Sequence, residues 1–416
     1  MGRPLFTLIP HNARAWYHLR YRFAVVFFLV ALFHQQHMYI VSRWALRAKY
    51  SPTNFNIYSG DLQPRFSIPD DQDSQLQDEL VANRAAWKVL GKGCEGKVFA
   101  YKDLVIKTYT PGRSPFRNCA PDAATATKWP TEIPASLHFG GSSRPVDVSE
   151  DASVRTTNAT YQGFLPVKTY FMASTTPGDP AEWHLVTPLL KGSNLNALAS
   201  YLSTSAEAST FRDVDALYRP AFNRFLGSMQ ALHDAGFCHD DIKTDNIFVQ
   251  DESHWVVGDL GNVRELLHPY HSSRIWKENG QLGDCRANDV FRTLQSYLKF
   301  IQLAVADQDT FNMAFYEGEE PMSRLFWWTL ANAQSMSAEK LRERSITDYP
   351  DAAPRLEHNS FFRPTRPHTL LSLFSRQSAV RRAVDEALAT RMPDKKARWW
   401  GMVWLFGVPD SGHCEA

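Results

Sequence analysis

The chain has 416 residues, 44% of them apolar and 21% charged, which excludes the disordered and fibrous classes. Lysine and arginine number 45 against 44 acids, so a net charge of +1 supplies no global basic field for nucleic acid. Mean hydropathy of −0.35 excludes a polytopic membrane protein but leaves room for one anchor. Five cysteines, Cys94, Cys119, Cys238, Cys285 and Cys414, are scattered and form no CxxC pair. They predict neither a disulfide scaffold nor a Cys-type zinc site.

The first 60 residues contain no Asp or Glu, whereas Arg3, Arg14, Arg20, Arg22, Arg43, Arg47 and Lys49 are basic. Residues 23–33 form an unbroken apolar run of eleven, followed by His34-Gln-Gln-His37 and Met38-Tyr-Ile-Val41. Crossing a bilayer takes about 20 apolar residues. Counting from Phe23 through Val41 gives nineteen, with four polar residues inside. A signal peptide would share the charged start, yet no small-x-small cleavage site follows. A mitochondrial presequence would be equally Arg-rich and acid-free, though less apolar. A helix packed on the domain is the plainest alternative. A single-pass anchor over 23–41, behind a basic segment 1–22, best explains Trp16, Tyr17, Tyr21, Tyr39 and Trp44 as interfacial residues. Four cations precede the run and three follow, so the charge rule sets no orientation. Secretory and mitochondrial membranes both stay open.

Residues 42–84, with Asp70, Asp71, Asp73, Asp78 and Glu79, have the polar composition of a stalk or linker. Stretches 140–160 and 350–367 read as loops. Strand patterns occur over 98–109 and 183–190, and helical periodicity over 216–235 and 289–304. A strand-rich part (85–190) before a helix-rich part (191–408) and a short tail (409–416) predicts an α+β chain of two lobes.

The first chemical signal is Gly91-Lys-Gly93-Cys-Glu-Gly96-Lys-Val98. Glycines let backbone amides approach phosphates closely. A P-loop would need Ser or Thr at position 98 and a helix after it. Here Val98-Phe-Ala-Tyr101, Lys102-Asp103 and Leu104-Val-Ile-Lys107-Thr-Tyr109 read instead as two strands and a tight turn. A glycine loop between strands suits a lid over nucleotide phosphates, with Lys107 reaching them from the next strand.

The second signal is sharper. Cys238-His239-Asp240-Asp241-Ile242-Lys243-Thr244-Asp245-Asn246 follows a helical pattern, and thirteen residues beyond Asn246 comes Asp259-Leu260-Gly261. Phosphoryl transfer needs a carboxylate to orient the attacking hydroxyl, oxygen ligands for Mg2+, and a cation on the transferring phosphate. Asp241, then Asn246 with Asp259, then Lys243 supply these.

In this order, over most of residues 85–300, the motifs resemble the eukaryotic protein kinase family, with Asp-Leu-Gly for Asp-Phe-Gly and a compressed catalytic loop. The resemblance implies a two-lobed protein-kinase-like fold, a small β-rich lobe and a larger helical one, behind the N-terminal hydrophobic segment. It implies ATP and Mg2+ as cofactors, Asp241 as catalytic base, Lys243 on the γ-phosphate, and Asn246 and Asp259 on Mg2+. Lys107 would bind the α/β-phosphates, under a lid of Gly91, Gly93, Gly96 and Val98. Leu185-Val-Thr187-Pro-Leu189-Leu190 resembles the strand and hinge that grip adenine, with Thr187 at the back pocket. Asp289 would brace the catalytic loop. Glu132, the only Glu between Lys107 and Gly140, is the implied partner of Lys107, although Pro130 and Pro134 around it predict a disrupted helix.

Two departures stand out. Asp240 replaces the family's Arg, which would bind a phosphate on the activation loop; an acid there repels one. No Ala-Pro-Glu follows Gly261, and 261–289 reads as short and irregular. His239 reads as a structural histidine under Asp-Leu-Gly.

Lys243 resembles the Ser/Thr branch, so the expected activity is ATP- and Mg2+-dependent phosphorylation of Ser or Thr in a protein substrate by a membrane-anchored kinase. The rivals are a catalytically silent pseudokinase scaffold and a small-molecule kinase of the aminoglycoside or choline type. Arg398-Trp-Trp-Gly-Met-Val-Trp404-Leu-Phe406 reads as a buried helix of the larger lobe, ahead of a membrane contact. Asn158-Ala-Thr160 is a glycosylation acceptor only if the domain is lumenal. Nothing signals an oligomeric state.

Overall fold

The computed structural model describes residues 10–55, 71–93, 96–109, 119–121, 128–141, 163–174, 181–205, 210–347, 376–390 and 395–402. The loops expected over 142–160 and 350–367, Asn158, Trp404, Phe406 and the tail lie outside them. Among the described residues the chain is α+β, with twelve α-helices and a five-stranded antiparallel sheet.

The sheet comes first. β1 (Lys88–Lys92), β2 (Gly96–Tyr101), β3 (Leu104–Tyr109), β6 (Thr169–Ser174) and β7 (Ala181–Pro188) join in the order β1-β2-β3-β7-β6. β4 (Cys119–Pro121) and β5 (Lys128–Pro130) pair separately, just before helix α3 (Glu132–Gly140). Alternation in β3 sends Leu104 and Ile106 to one face, where they pack with Phe171, Val186, Trp87 and Leu80. The other face carries Lys107, Tyr109 and Leu185; Tyr109 and Leu185 join the main core with Ile133 of α3.

The remainder is helical: α4 (Leu195–Thr204), α5 (Phe211–Asp234), α6 (Arg274–Glu278), α7 (Cys285–Ala304), α8 (Gln308–Glu317), α9 (Pro321–Ala331), α10 (Ala338–Ile346), α11 (Arg376–Ala387) and α12 (Lys395–Met402). Short strands β8 (Phe237–Cys238), β9 (Ile247–Val249), β10 (Trp255–Val257) and β11 (Arg264–Glu265) interrupt it between α5 and α6. The helix in α5 starts five residues earlier than its periodicity alone predicts, because Thr210 and Asp213 form a capping box there. Its Phe222 stacks on Tyr297 of α7 with ring centroids 4.3 Å apart. α7 is buried along most of its length and is the axis of the core.

Two helices precede the sheet. α1 (Pro10–Lys49) is 40 residues long, roughly 60 Å at the standard rise, and is long and apolar enough to cross a membrane. Tyr21, Phe23, Phe27, Phe28 and Phe33 are all exposed on it. In its last turns one side is buried. Ala45, Leu46 and Tyr50 are buried with Tyr270, Ile275, Trp276, Cys238 and Cys285. α2 (Asp71–Ala82) packs Leu76 and Leu80 under the sheet.

The polar linker expected over 42–84 is therefore corrected where that region is described. Residues 42–55 are docked on the helical part, and 71–82 are a packed helix; 56–70 lie outside the described residues. Polar composition misled because these segments bury a few large side chains each, with no long apolar run. A second correction concerns α12. It packs along α1 outside the main core, with Ala397 against the smaller core cluster and Trp399 54% exposed.

Candidate active site

β3 runs between β2 and β7 with Val98, Lys107 and Leu185 in register across the three strands. Ala100, Val105 and Thr187, also in register, share that face by alternation. Lys107 lies at the centre of this face. Its Nζ reaches the Glu132 carboxylate at the start of α3, and donates to Asp259 Oδ1 at 2.8 Å. Tyr109 Oη donates to the same Glu132 oxygen as Lys107, at 2.6 Å.

The helix around Glu132 is intact, against the expectation from its prolines. Pro134 falls at the third position, inside the first turn, where a backbone N–H has no intrahelical acceptor to lose. The first helical hydrogen bond runs from Ala135 N–H to Thr131 O, one residue beyond it.

The three loop glycines have different environments. A Cβ at Gly96 would lie 1.7 Å from Thr108 O, so this glycine is required by strand packing. Nothing lies within 4 Å of where a Cβ would stand at Gly91 or Gly93, so the fold itself leaves that space open. Cys94 and Glu95 between them lie outside the described residues. At the other edge Thr187 is buried, and Leu189, just past β7, donates its N–H to Asp103 O at 2.7 Å.

The second group sits on the loop between β8 and β9. Lys243 Nζ donates to Asp241 Oδ2 at 2.7 Å, and Asn246 Nδ2 donates to Asp241 O at 2.9 Å. Asn246 O accepts from Gly258 N–H at 3.0 Å, which ties this loop to the residue before Asp259. His239 Nε2 donates to Gly258 O at 3.2 Å, placing the histidine under Asp-Leu-Gly. Asp240 and Asp259 adopt left-handed backbone angles (φ 62° and 52°), a cost of order 1–3 kcal/mol each that surrounding structure must hold.

What holds Asp240 is the fully buried Asp289 of α7. Its carboxylate accepts from the N–H groups of His239 (2.6 Å) and Asp240 (3.0 Å). Arg292, one turn further, donates to Asp240 O at 2.6 Å. His233 and Cys238 also lie near Asp289, but Cys238 is bonded to Cys285 and the carboxylate is used by the loop, so this trio carries no metal argument.

The electrostatics separate the two acids that share Lys107. Burial pushes Glu132 above the ordinary carboxylate value, with Lys107 only partly offsetting it. For Asp259 burial acts the same way, but Lys107, with Lys243 and His239, outweighs it and lowers the pKa. Two acids whose pKa values are pushed apart around one lysine make this group a candidate for charge-based chemistry.

Several partners had no sequence signal: Tyr109 on Glu132, Arg264 and His271 on Asp240, and the Cys238–Cys285 disulfide across 47 residues. The last corrects the expectation from cysteine spacing. The two residues meet only because α7 packs beside β8. No known family model matches the chain, and no curated protein matches it.

Proposed function

We propose that this protein is an ATP- and Mg2+-dependent phosphotransferase of the protein-kinase-like kind, a small lobe around the sheet set over a larger helical lobe. The observation that carries the reading is the convergence on Lys107 of Glu132 from α3 and Asp259 from the loop after β10. An ammonium held between two carboxylates from separate elements is poised for a nucleotide phosphate. Asp241 supports the role of base, with Lys243 beside it to steady the transferring phosphate. Asn246 and Asp259 fit a hard cation by donor chemistry, offering an amide and a carboxylate oxygen. Mg2+ there would neutralise phosphate charge. Lys243 favours a Ser or Thr acceptor in protein, and exposed apolar α1 favours membrane attachment.

The test is phosphate transfer from ATP by the full chain in detergent micelles with Mg2+, on itself and on Ser/Thr peptides, against Asp241→Asn. Transfer abolished by the substitution supports the reading. Nucleotide binding without transfer to any acceptor overturns it in favour of a pseudokinase, and transfer only to small hydroxyl compounds favours the small-molecule rival.

A further inference from the structure

α12 has the sequence Lys395-Lys-Ala-Arg398-Trp-Trp400-Gly-Met402 and crosses α1 just past the apolar run. The crossing is close: a Cβ at Gly401 would stand 2.7 Å from Leu46 Cδ1, so a bulky side chain there presses on the tip of a buried leucine of α1. From this crossing Trp400 reaches towards the apolar part of α1, where its ring meets His34 edge-on at 6.3 Å. Trp399 stacks edge-on against Trp400 at 4.5 Å and is 54% exposed. Arg398 reaches the opposite way, to the Tyr50 hydroxyl. Lys395 and Lys396 are exposed. Among the described residues Glu278 lines the same small cleft as Lys396 and pairs with Arg274 at 2.5 Å, and Asp394 directly precedes Lys395 in the sequence.

If the apolar span ends at Phe33, the next residue is the His34 that Trp400 touches; if it is counted through Val41, the next is the Ser42 that shares the α12 cleft. Indoles favour that level of a bilayer, and lysines just beyond it meet headgroup phosphates. We infer that α12 is a second membrane-contacting element, which seats Trp399 and Trp400 at the headgroup boundary and sets Lys395 and Lys396 against phospholipid phosphates. This rests on α1 being a membrane anchor. With α1 it makes a two-helix mount, so the candidate active site is held at a fixed attitude to the bilayer.

The test uses the full chain in phosphatidylcholine vesicles, with photoreactive benzoylphenylalanine at position 399, at position 28 in the apolar run, or at position 339 on α10. Lipid adducts at 28 and 399 but not at 339 are expected. Gly401→Leu should remove the adduct at 399 and keep that at 28, and Lys395→Glu with Lys396→Glu should lower the yield at 399 several-fold. An adduct at 28 with none at 399 overturns the inference and leaves the anchor standing. No adduct at 28 overturns both.

Discussion

Arg264 and Asp240 form an ion pair at 3.1 Å with both side chains almost wholly buried, and His271 closes on the same carboxylate at 2.9 Å. Asp240 immediately precedes Asp241, and Arg264 lies five residues beyond Asp259, so this pair ties together the two loops that carry the candidate chemistry. Under the proposed kinase-like reading, the pair would stand where that family uses an arginine and an added phosphate, with the polarity reversed. Breaking a buried pair from one side leaves an uncompensated charge, at about 3–5 kcal/mol. Asp240→Ala is expected to destabilise by that amount in urea unfolding. The Asp240→Ala, Arg264→Ala double variant should lose less than the sum of the singles, because the stranded guanidinium is then gone.

Lys107 is expected to matter for transfer far more than for folding. Lys107→Met leaves Glu132 and Asp259 facing each other, but Glu132 is already biased by burial toward its neutral form and can absorb the change by protonation. Transfer should fall by about 100-fold or more, the scale of losing one preorganised charge at a reacting group. Glu132→Gln should cost less, since Asp259 and a neutral amide still hold the lysine. Steady-state rates and ATP affinity by calorimetry check both, with thermal melting as the control for folding.

The segment after α1 gives a pH dependence. His268 donates from Nε2 to Ser51 O at 3.0 Å and accepts at Nδ1 from Tyr270 N–H at 3.2 Å, which requires the neutral ring. Burial, with Arg264 nearby, drops its pKa from 6.5 to about 4. A histidine depressed in the folded state is protonated first in the unfolded chain. The His268 contribution is therefore constant above pH 6.5 and lost as pH falls toward 4, by up to about 3 kcal/mol. His268→Gln should remove that slope. His271 has the opposite sign: burial opposes its charge, but Asp240 raises its pKa, so its contribution is full at low pH and fades as pH rises through the raised value. Urea unfolding of wild type, His268→Gln and His271→Gln between pH 5 and 8 resolves the two.

The sequence made legible what is written contiguously. Asp241, Lys243 and Asn246 lie within six residues, and their chemistry needs that loop whatever surrounds it. Lys107 could be placed on β3 because two β-rich runs joined by a tight turn read as a short hairpin. α12 shows the limit: Trp-Trp beside Arg fits a core helix or an interfacial one, and the sequence alone does not say that the helix packs on α1. Contacts across long separations left no periodicity to read. Thr53 donates to Val263 O from 210 residues away, and Asn54 N–H reaches Glu265 in the same way. Those bonds dock the end of α1 on the segment after Asp259, which polar composition alone presented as a linker.

The Cys238–Cys285 disulfide yields the last prediction. It joins the residue before His239 to the first residue of α7, four positions before the Asp289 that holds the loop's backbone N–H groups. Closing a loop of 47 residues restricts the unfolded chain by about 4 kcal/mol in the chain-entropy account. Cys238→Ala with Cys285→Ala should therefore lose about 2–4 kcal/mol in urea unfolding, and a reductant should weaken wild type but not this variant. Transfer activity should fall alongside, because the same covalent link keeps α7 against the loop that carries Asp241. A crosslink of this kind persists where thiols are oxidised. With α1 as the proposed anchor, the domain is accordingly expected on the non-cytosolic side of the membrane, protected from added protease in sealed vesicles, and in a secretory lumen Asn158-Ala-Thr160 becomes a usable acceptor whose glycan an endoglycosidase would remove. Two free thiols at positions 238 and 285 in protein alkylated before extraction would refute the crosslink, and protease-sensitive domain in the same vesicles would refute the orientation.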